Sequence, residues 1–249
     1  MADATFYRFY RTPRFSANHI AEYLSTTDAN QREAVIRKAK FPRTLPVIAY
    51  QQVTPHIRRF LTSNSGDMTI FDGIIETLQQ KALSPDEGYE RDEARRCLAA
   101  IEAFKATFVQ MKLGRIMFQP GPSDVAMKVE SVTINSRLDP PLVESGRGGA
   151  THSGGIVLLL AASPDARKDI AARTKTVAAI VHWALESAAS NVTPHPRLCM
   201  SFDAFGGQVV RAPDSYTNLR RRISASCREV AGNWDRVGPP SGYDGPEWR

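Results

Sequence analysis

Cysteine is scarce in this chain. Cys97, Cys199 and Cys227 stand far apart, and none has CxxC or Cys/His ligand spacing. An odd, scattered set of thiols argues against a disulfide framework, gives no zinc motif and fits a reducing compartment. Long apolar runs are missing as well. The longest, residues 156–162, has the length of a strand, and the aromatic–basic opening MADATFYRFYRTPRF contains no signal-peptide core. No membrane partner is expected, and the location read from these features is cytoplasmic. No serine sits in a GxSxG elbow, no GxxxxGK[ST] loop occurs, and no Cys/His pair has nucleophilic spacing, so nucleophilic and P-loop chemistry lack a motif. There is no internal repeat.

What is present is an ordinary globular composition, 42% hydrophobic and 23% charged over 249 residues. A chain of that length buries about 70% of its unfolded surface and needs no disulfide or metal to fold. The net charge of +6 permits contact with an anionic partner such as DNA or RNA without demanding it, and a protein partner stays open.

Residues 1–120 read as mainly helical. Ser16 caps a helix at 17–24, a second helix runs over 28–40 to the Phe41-Pro42 stop, and Asp67 precedes the amphipathic set Ile70, Phe71, Ile74, Ile75 and Leu78. Ser84-Pro85-Asp86-Glu87 combines an N-cap, an N1 proline and a capping-box acid, starting a helix expected to reach Gly114. The period then drops to two. Met127 and Val129, then Val132, Ile134 and Leu138, predict a hairpin turning at Glu130-Ser131, with Leu142-Val143 continuing its second arm. A glycine-rich loop is expected at 145–155, a buried strand at 155–162, a helix at 163–189, strands at 197–203 and 208–211, and a basic helix at 215–231. The α/β core spans 121–234. Residues 235–249, rich in glycine and proline, read as a mobile tail.

The segments RFSANHIAEYL, VTINSRLDPPL, GGIVLLL and RLCMSFDAFGGQVVRAPDSY resemble a group of little-characterised bacterial proteins associated with the PD-(D/E)xK nuclease-like fold, over residues 14–234. The resemblance implies an α/β fold in which the helical portion precedes a mixed β-sheet flanked by helices, with a restriction-endonuclease-like core. In active members an aspartate ends one strand, and the next carries an acid and, two residues on, a lysine; the carboxylates hold Mg²⁺ at the phosphodiester. Asp139 matches the first aspartate, whereas Gly155 and Val157 stand where the acid and lysine belong. This places the Asp139-ended arm beside the strand at 155–162 and implies a degenerate active site.

Each candidate has a structural alternative. Asp139 is a metal ligand or an Asp-Pro turn residue. His182 is a site residue on the helix after the central strand, or a packed, hydrogen-bonded histidine. Glu144 or His152 is the replacement acid or ligand if cleavage survives, and only then is Mg²⁺ implied. Arg211, Arg220, Arg221 and Arg228, with Lys168, Arg173 and Lys175, form a phosphate-contacting surface or a solvated helix face. Tyr7 to Arg11 stack on bases or dock on the domain's own edge. Three functions follow. The first is a non-catalytic or altered nuclease-like module binding nucleic acid or a nucleoprotein partner, in a bacterial mobile-element or antiviral setting that only the resemblance suggests. The second is an Mg²⁺-dependent nuclease with a migrated acid. The third is a protein–protein assembly component.

Overall fold

A computed structural model describes residues 6–44, 50, 52–84, 88–109, 111, 116–120, 124–145, 149–160, 169–188 and 192–248. In chain order these form β1 (Arg14–Ser16), α1 (Ala17–Ser25), α2 (Ala29–Lys40), α3 (Thr54–Ser63), a 3₁₀ turn (Met68–Phe71), α4 (Asp72–Ala82) and α5 (Tyr89–Phe108). There follow β2 (Met117–Phe118), β3 (Asp124–Val129), β4 (Val132–Arg137), β5 (Pro141–Ser145), β6 (Thr151–Leu159), α6 (Ile170–Ser187), β7 (Thr193–Asp203), β8 (Gln208–Arg211) and α7 (Thr217–Trp234). The helix starts follow local chemistry. The Ser16 hydroxyl accepts the His19 N–H at 3.1 Å while the Ser16 N–H reaches back to His19 Nδ1, a capping box closed by histidine. The Asp28 carboxylate accepts the Gln31 N–H and caps α2. The Ser84 box cannot be followed, because 85–87 lie outside the described residues.

The strands form two sheets, one ordered β1-β4-β3 and one ordered β2-β5-β6-β7-β8. The predicted β3–β4 hairpin is present, turning at Glu130, whose φ is +53°. Leu142-Val143, expected to extend its second arm, belongs instead to β5 in the other sheet. The chain changes sheets at Asp139-Pro140. There the Asp139 N–H donates to the Ile156 carbonyl, and the Ile156 N–H donates to Pro140. Asp139 therefore touches the central strand through its own backbone, while β4, the arm it ends, pairs elsewhere.

β5 and β6 run antiparallel, β6 and β7 run parallel, and α6 lies between the last two in sequence. Two apolar clusters cover the faces of the larger sheet. Val157, Leu159 and Cys199 pack with Ile20 of α1, Val181 of α6 and Val230 of α7. Leu142, Ile156, Met200 and Phe202 pack with Phe60 of α3, Leu78 of α4 and Phe104 of α5. Each cluster draws on residues from before and after position 120, so the N-terminal helices are the covering layers of the sheets. No described helix is long and apolar enough to cross a membrane.

The glycine-rich stretch is shorter as a loop than expected, because Thr151 to Gly155 already belong to β6. A Cβ on Gly154 would lie 2.2 Å from the Leu198 carbonyl oxygen, and one on Gly155 would lie 2.8 Å from Leu138 Cδ1. Close approach of the neighbouring backbone thus demands glycine at 154, while at 155 the crowding comes from the Leu138 side chain. Residues 146–148 lie outside the described residues.

The stretch read as a mobile tail is docked on the N-terminal segment. The Phe6 N–H donates to the Asp244 carboxylate at 2.9 Å, and Arg37 Nε donates to the Gly238 carbonyl at 3.1 Å. Tyr243 packs on Tyr7 and Phe41, and Trp248 packs on Phe41. Beneath this layer Lys40 is buried, its ammonium donating to the Trp234 and Val237 carbonyls at 2.6 and 2.9 Å. Tyr7 to Tyr10 dock along residues 40–44 by backbone bonds, which uses the N-terminal segment internally.

Candidate functional site

Asp139 on one hand, and Glu144, His152 and His182 on the other, fall at two separate corners of the five-stranded sheet. At the first, Asp139 is 6% exposed. Arg58 of α3 grips its carboxylate, with Nε donating to Oδ1 at 2.6 Å and Nη2 closing on the same oxygen; Arg137 stands at 3.6 Å. Burial raises the Asp139 pKa, and the two arginines oppose that rise without cancelling it. Gly155 and Val157 flank Ile156, the residue Asp139 meets. Gly155 packs under Leu138, and Val157 is buried in the apolar cluster.

Mg²⁺ needs several oxygen ligands around an open position. Here one carboxylate faces guanidinium groups, and the residues opposite bring no side-chain oxygen. The residues at this corner do not fit the metal. Among the described residues, no group of three or more His, Cys, Asp or Glu is placed to hold a metal ion. Glu144 does not complete the corner either, since it lies at the far end of β5, roughly 15 Å away at about 3.3 Å per strand residue.

The second corner gathers what the first lacks. Between β6 and β7 the register slips: Ser153 pairs with Pro194, but Gly155 pairs with Cys199, so His195, Pro196, Arg197 and Leu198 bulge from the ladder. Proline cannot donate a ladder bond, so Pro194 and Pro196 favour such a break, and the bulge re-aims the side chains between and after them. The His195 ring packs edge-on to His152 of β6, with centroids 5.2 Å apart. Arg197 forms an ion pair with Glu144, which itself sits opposite His152 in the β5–β6 register. Beneath them on α6, His182 Nδ1 lies 2.5 Å from the Tyr216 hydroxyl. That phenol accepts from Arg220 at 2.6 Å, while Arg220 pairs with Glu186 and lies over the Trp183 ring at 5.1 Å.

Electrostatics set the resting state of this corner. Burial lowers the His182 pKa more than Glu186 restores it, and burial, then Arg197 and His152, lower that of His195. Tyr216 is pushed up to about 12, chiefly by burial, and remains a neutral phenol. Two glutamates balance two arginines, so with neutral histidines the corner carries no net charge. His152 Nδ1 is buried with no hydrogen-bond partner among the described residues, whereas the buried His182 Nε2 lies against the Pro194 carbonyl. Buried polar atoms are ordinarily satisfied, so the unpartnered His152 nitrogen calls for an explanation.

No protein-family model and no curated protein matches this chain. Its chemistry therefore rests on its own geometry.

Of the sequence candidates, Glu144 and His182 lie at the histidine corner and Asp139 lies at the other. Among the basic residues, Arg220 is committed to Glu186 and Tyr216, and Arg228 makes an exposed pair with Glu130 at 2.8 Å. Arg211 and Arg221 are exposed and form no ion pair with a described residue, and Arg222, next to Arg221 on α7, is exposed too. Lys168 lies outside the described residues. Asp203 bonds its own turn through the Gly206 N–H. His195, Tyr216 and Glu186 went unrecognised as site residues in the sequence; the one local signal was proline on both sides of His195.

Proposed function

We propose that this protein is a nuclease-like module that binds nucleic acid, alone or within a nucleoprotein partner, without cleaving it. The resemblance supplies the class. The succession of the antiparallel pair β5–β6, helix α6 and the parallel strand β7 is compatible with a restriction-endonuclease-like core. The observation that carries the non-cleaving part is the environment of Asp139: an arginine clamp on the carboxylate, with Gly155 and Val157 packed opposite it. Cleavage by a bound metal ion requires oxygen ligands and an activated water, and those side chains supply neither. Binding is supported by the excess positive charge and by exposed Arg211 at the end of β8 and exposed Arg221 and Arg222 on α7.

The test is retention of labelled duplex and single-stranded DNA and RNA across a salt series. If Arg211 and Arg221 each neutralise one phosphate, Arg211→Gln with Arg221→Gln reduces the log K against log salt slope on duplex DNA by about 1.8. Arg220 is unsuitable for this test, because changing it also breaks its bonds to Glu186 and Tyr216. An unchanged slope removes the basic helix from the reading. Plasmid cleavage in Mg²⁺ or Mn²⁺ that disappears in Asp139→Ala shows an active nuclease instead. Absence of binding to every nucleic acid points to the assembly role.

A further inference from the structure

We propose that the β7 bulge is a phosphate site in which His152, His195 and Arg197 hold the anion and Glu144 occupies Arg197 when no ligand is present. Three observations meet there. His152 and His195 come edge to face at 5.2 Å on neighbouring strands, and both rings are partly accessible. Arg197, whose side chain is 52% exposed, is already engaged by an anion, the Glu144 carboxylate. His152 Nδ1 is buried with no hydrogen-bond partner among the described residues, so the accessible edge of that ring is the one that faces a ligand. The Arg197 N–H donates to His195 Nδ1 at 3.3 Å, so the proton of neutral His195 sits on Nε2. A planar guanidinium fork and two imidazoles make a donor set suited to phosphate oxygens. The β7 bulge, not a helix N-terminus or a glycine loop, brings them together.

Binding at this corner is coupled to protons. The groups facing His195 are Arg197 on its own strand, His152 on β6, Glu144 on β5, His182 on α6 and Asp214 before α7. Burial, then Arg197 and His152, keep His195 neutral at rest against the pull of Asp214 and Glu144; an arriving phosphate adds negative charge and favours the imidazolium. Affinity therefore rises as pH falls from the phosphate-bound pKa of His195 toward its lowered free-state value. The inference rests on the nucleic-acid reading only for the source of the phosphate, a diester in a strand or a free monoester.

The experiment follows the ring resonances of the wild-type protein's five histidines by NMR while inorganic phosphate is added. Anisotropy with a labelled RNA or DNA strand runs in parallel. Selective shifts of His152 and His195, with His19 and His56 unmoved, are expected. Glu144→Gln, which removes the internal competitor, should tighten phosphate by about threefold, the scale of an exposed ion pair. Arg197→Gln should weaken it by about tenfold. A merely structural role for Glu144 predicts no gain. Phosphate shifts without strand binding support the site and overturn the nucleic-acid source. Strand binding with no histidine shift under either ligand overturns the site and leaves the function reading standing. Equal shifts of all five histidines also overturn it, as non-specific ion binding.

Discussion

Arg58→Met isolates the clamp on Asp139, because methionine keeps much of the apolar stem and removes the charge. At a charge separation of about 4 Å and an effective dielectric near 20, the attraction is roughly 4 kcal/mol. Part of that is offset by resolvation of Arg58, whose side chain is 29% exposed, and Arg137 remains at 3.6 Å as a partial substitute. The expected loss near neutral pH is therefore about 2 kcal/mol, between the values of exposed and buried pairs. The loss must depend on pH. Burial already raises the Asp139 pKa, so the native state binds this proton more tightly than the unfolded chain, and the group's favourable contribution fades as pH rises through its native pKa. Removing Arg58 takes away the main opposing charge and raises the native pKa further. The variant's deficit should thus be small near about pH 4, where the carboxyl is protonated in the variant's native state, and should grow toward about pH 7. Urea unfolding of wild type, Arg58→Met, Asp139→Asn and the double variant across that range measures it. A deficit independent of pH, or a coupling below about 0.5 kcal/mol in the cycle, refutes the clamp and reopens Asp139 as a free carboxylate.

Gly154→Ala and Gly155→Ala should differ in thermal unfolding. The first meets backbone oxygen at 2.2 Å and should cost about 3 kcal/mol, while the second meets the movable end of Leu138 and should cost about 1–2 kcal/mol. Equal melting temperatures would count against the observed register of β6 on β7. Lys40→Met leaves the Trp234 and Val237 carbonyls without their donor and should destabilise by about 2 kcal/mol in denaturant titration. Deleting residues 238–249 removes the Tyr243 and Trp248 contacts and should lower stability by about 2 kcal/mol and expose Phe41 to a hydrophobic dye. A truncated protein as stable as the full chain would mean that the tail adds nothing.

Local signals carried the helices well. Ser16 and Asp28 cap where their side chains can reach an N–H three residues on, and no distant residue decides that. The β3–β4 hairpin is equally local. Sheet membership is different, because Leu142-Val143 has the same alternation whether it extends β4 or starts another strand. The choice was made by Ile156, which pairs with the backbone at Asp139-Pro140. The tail shows a second kind of loss. Its glycines and prolines suggested mobility, but its contacts come from Tyr243, Asp244 and Trp248, whose partners lie more than two hundred residues upstream.

The two corners explain why a site was only half visible. Asp139 stood out because the resemblance implies an aspartate there, yet its neighbours Arg58 and Arg137 make it one end of an ion pair. The histidine corner has no linear motif, since its parts come from β5, β6, α6, the β7 bulge and α7. What joins them is a register slip bounded by Pro194 and Pro196, and a strand forced off its ladder points consecutive side chains where a regular strand would alternate them between faces. Pro-His-Pro-Arg is therefore the most informative tetrapeptide in the chain. If Pro196→Ala lets β7 regain its ladder, His195 and Arg197 should turn away from His152 and Glu144, and phosphate binding should be lost while the fold is kept.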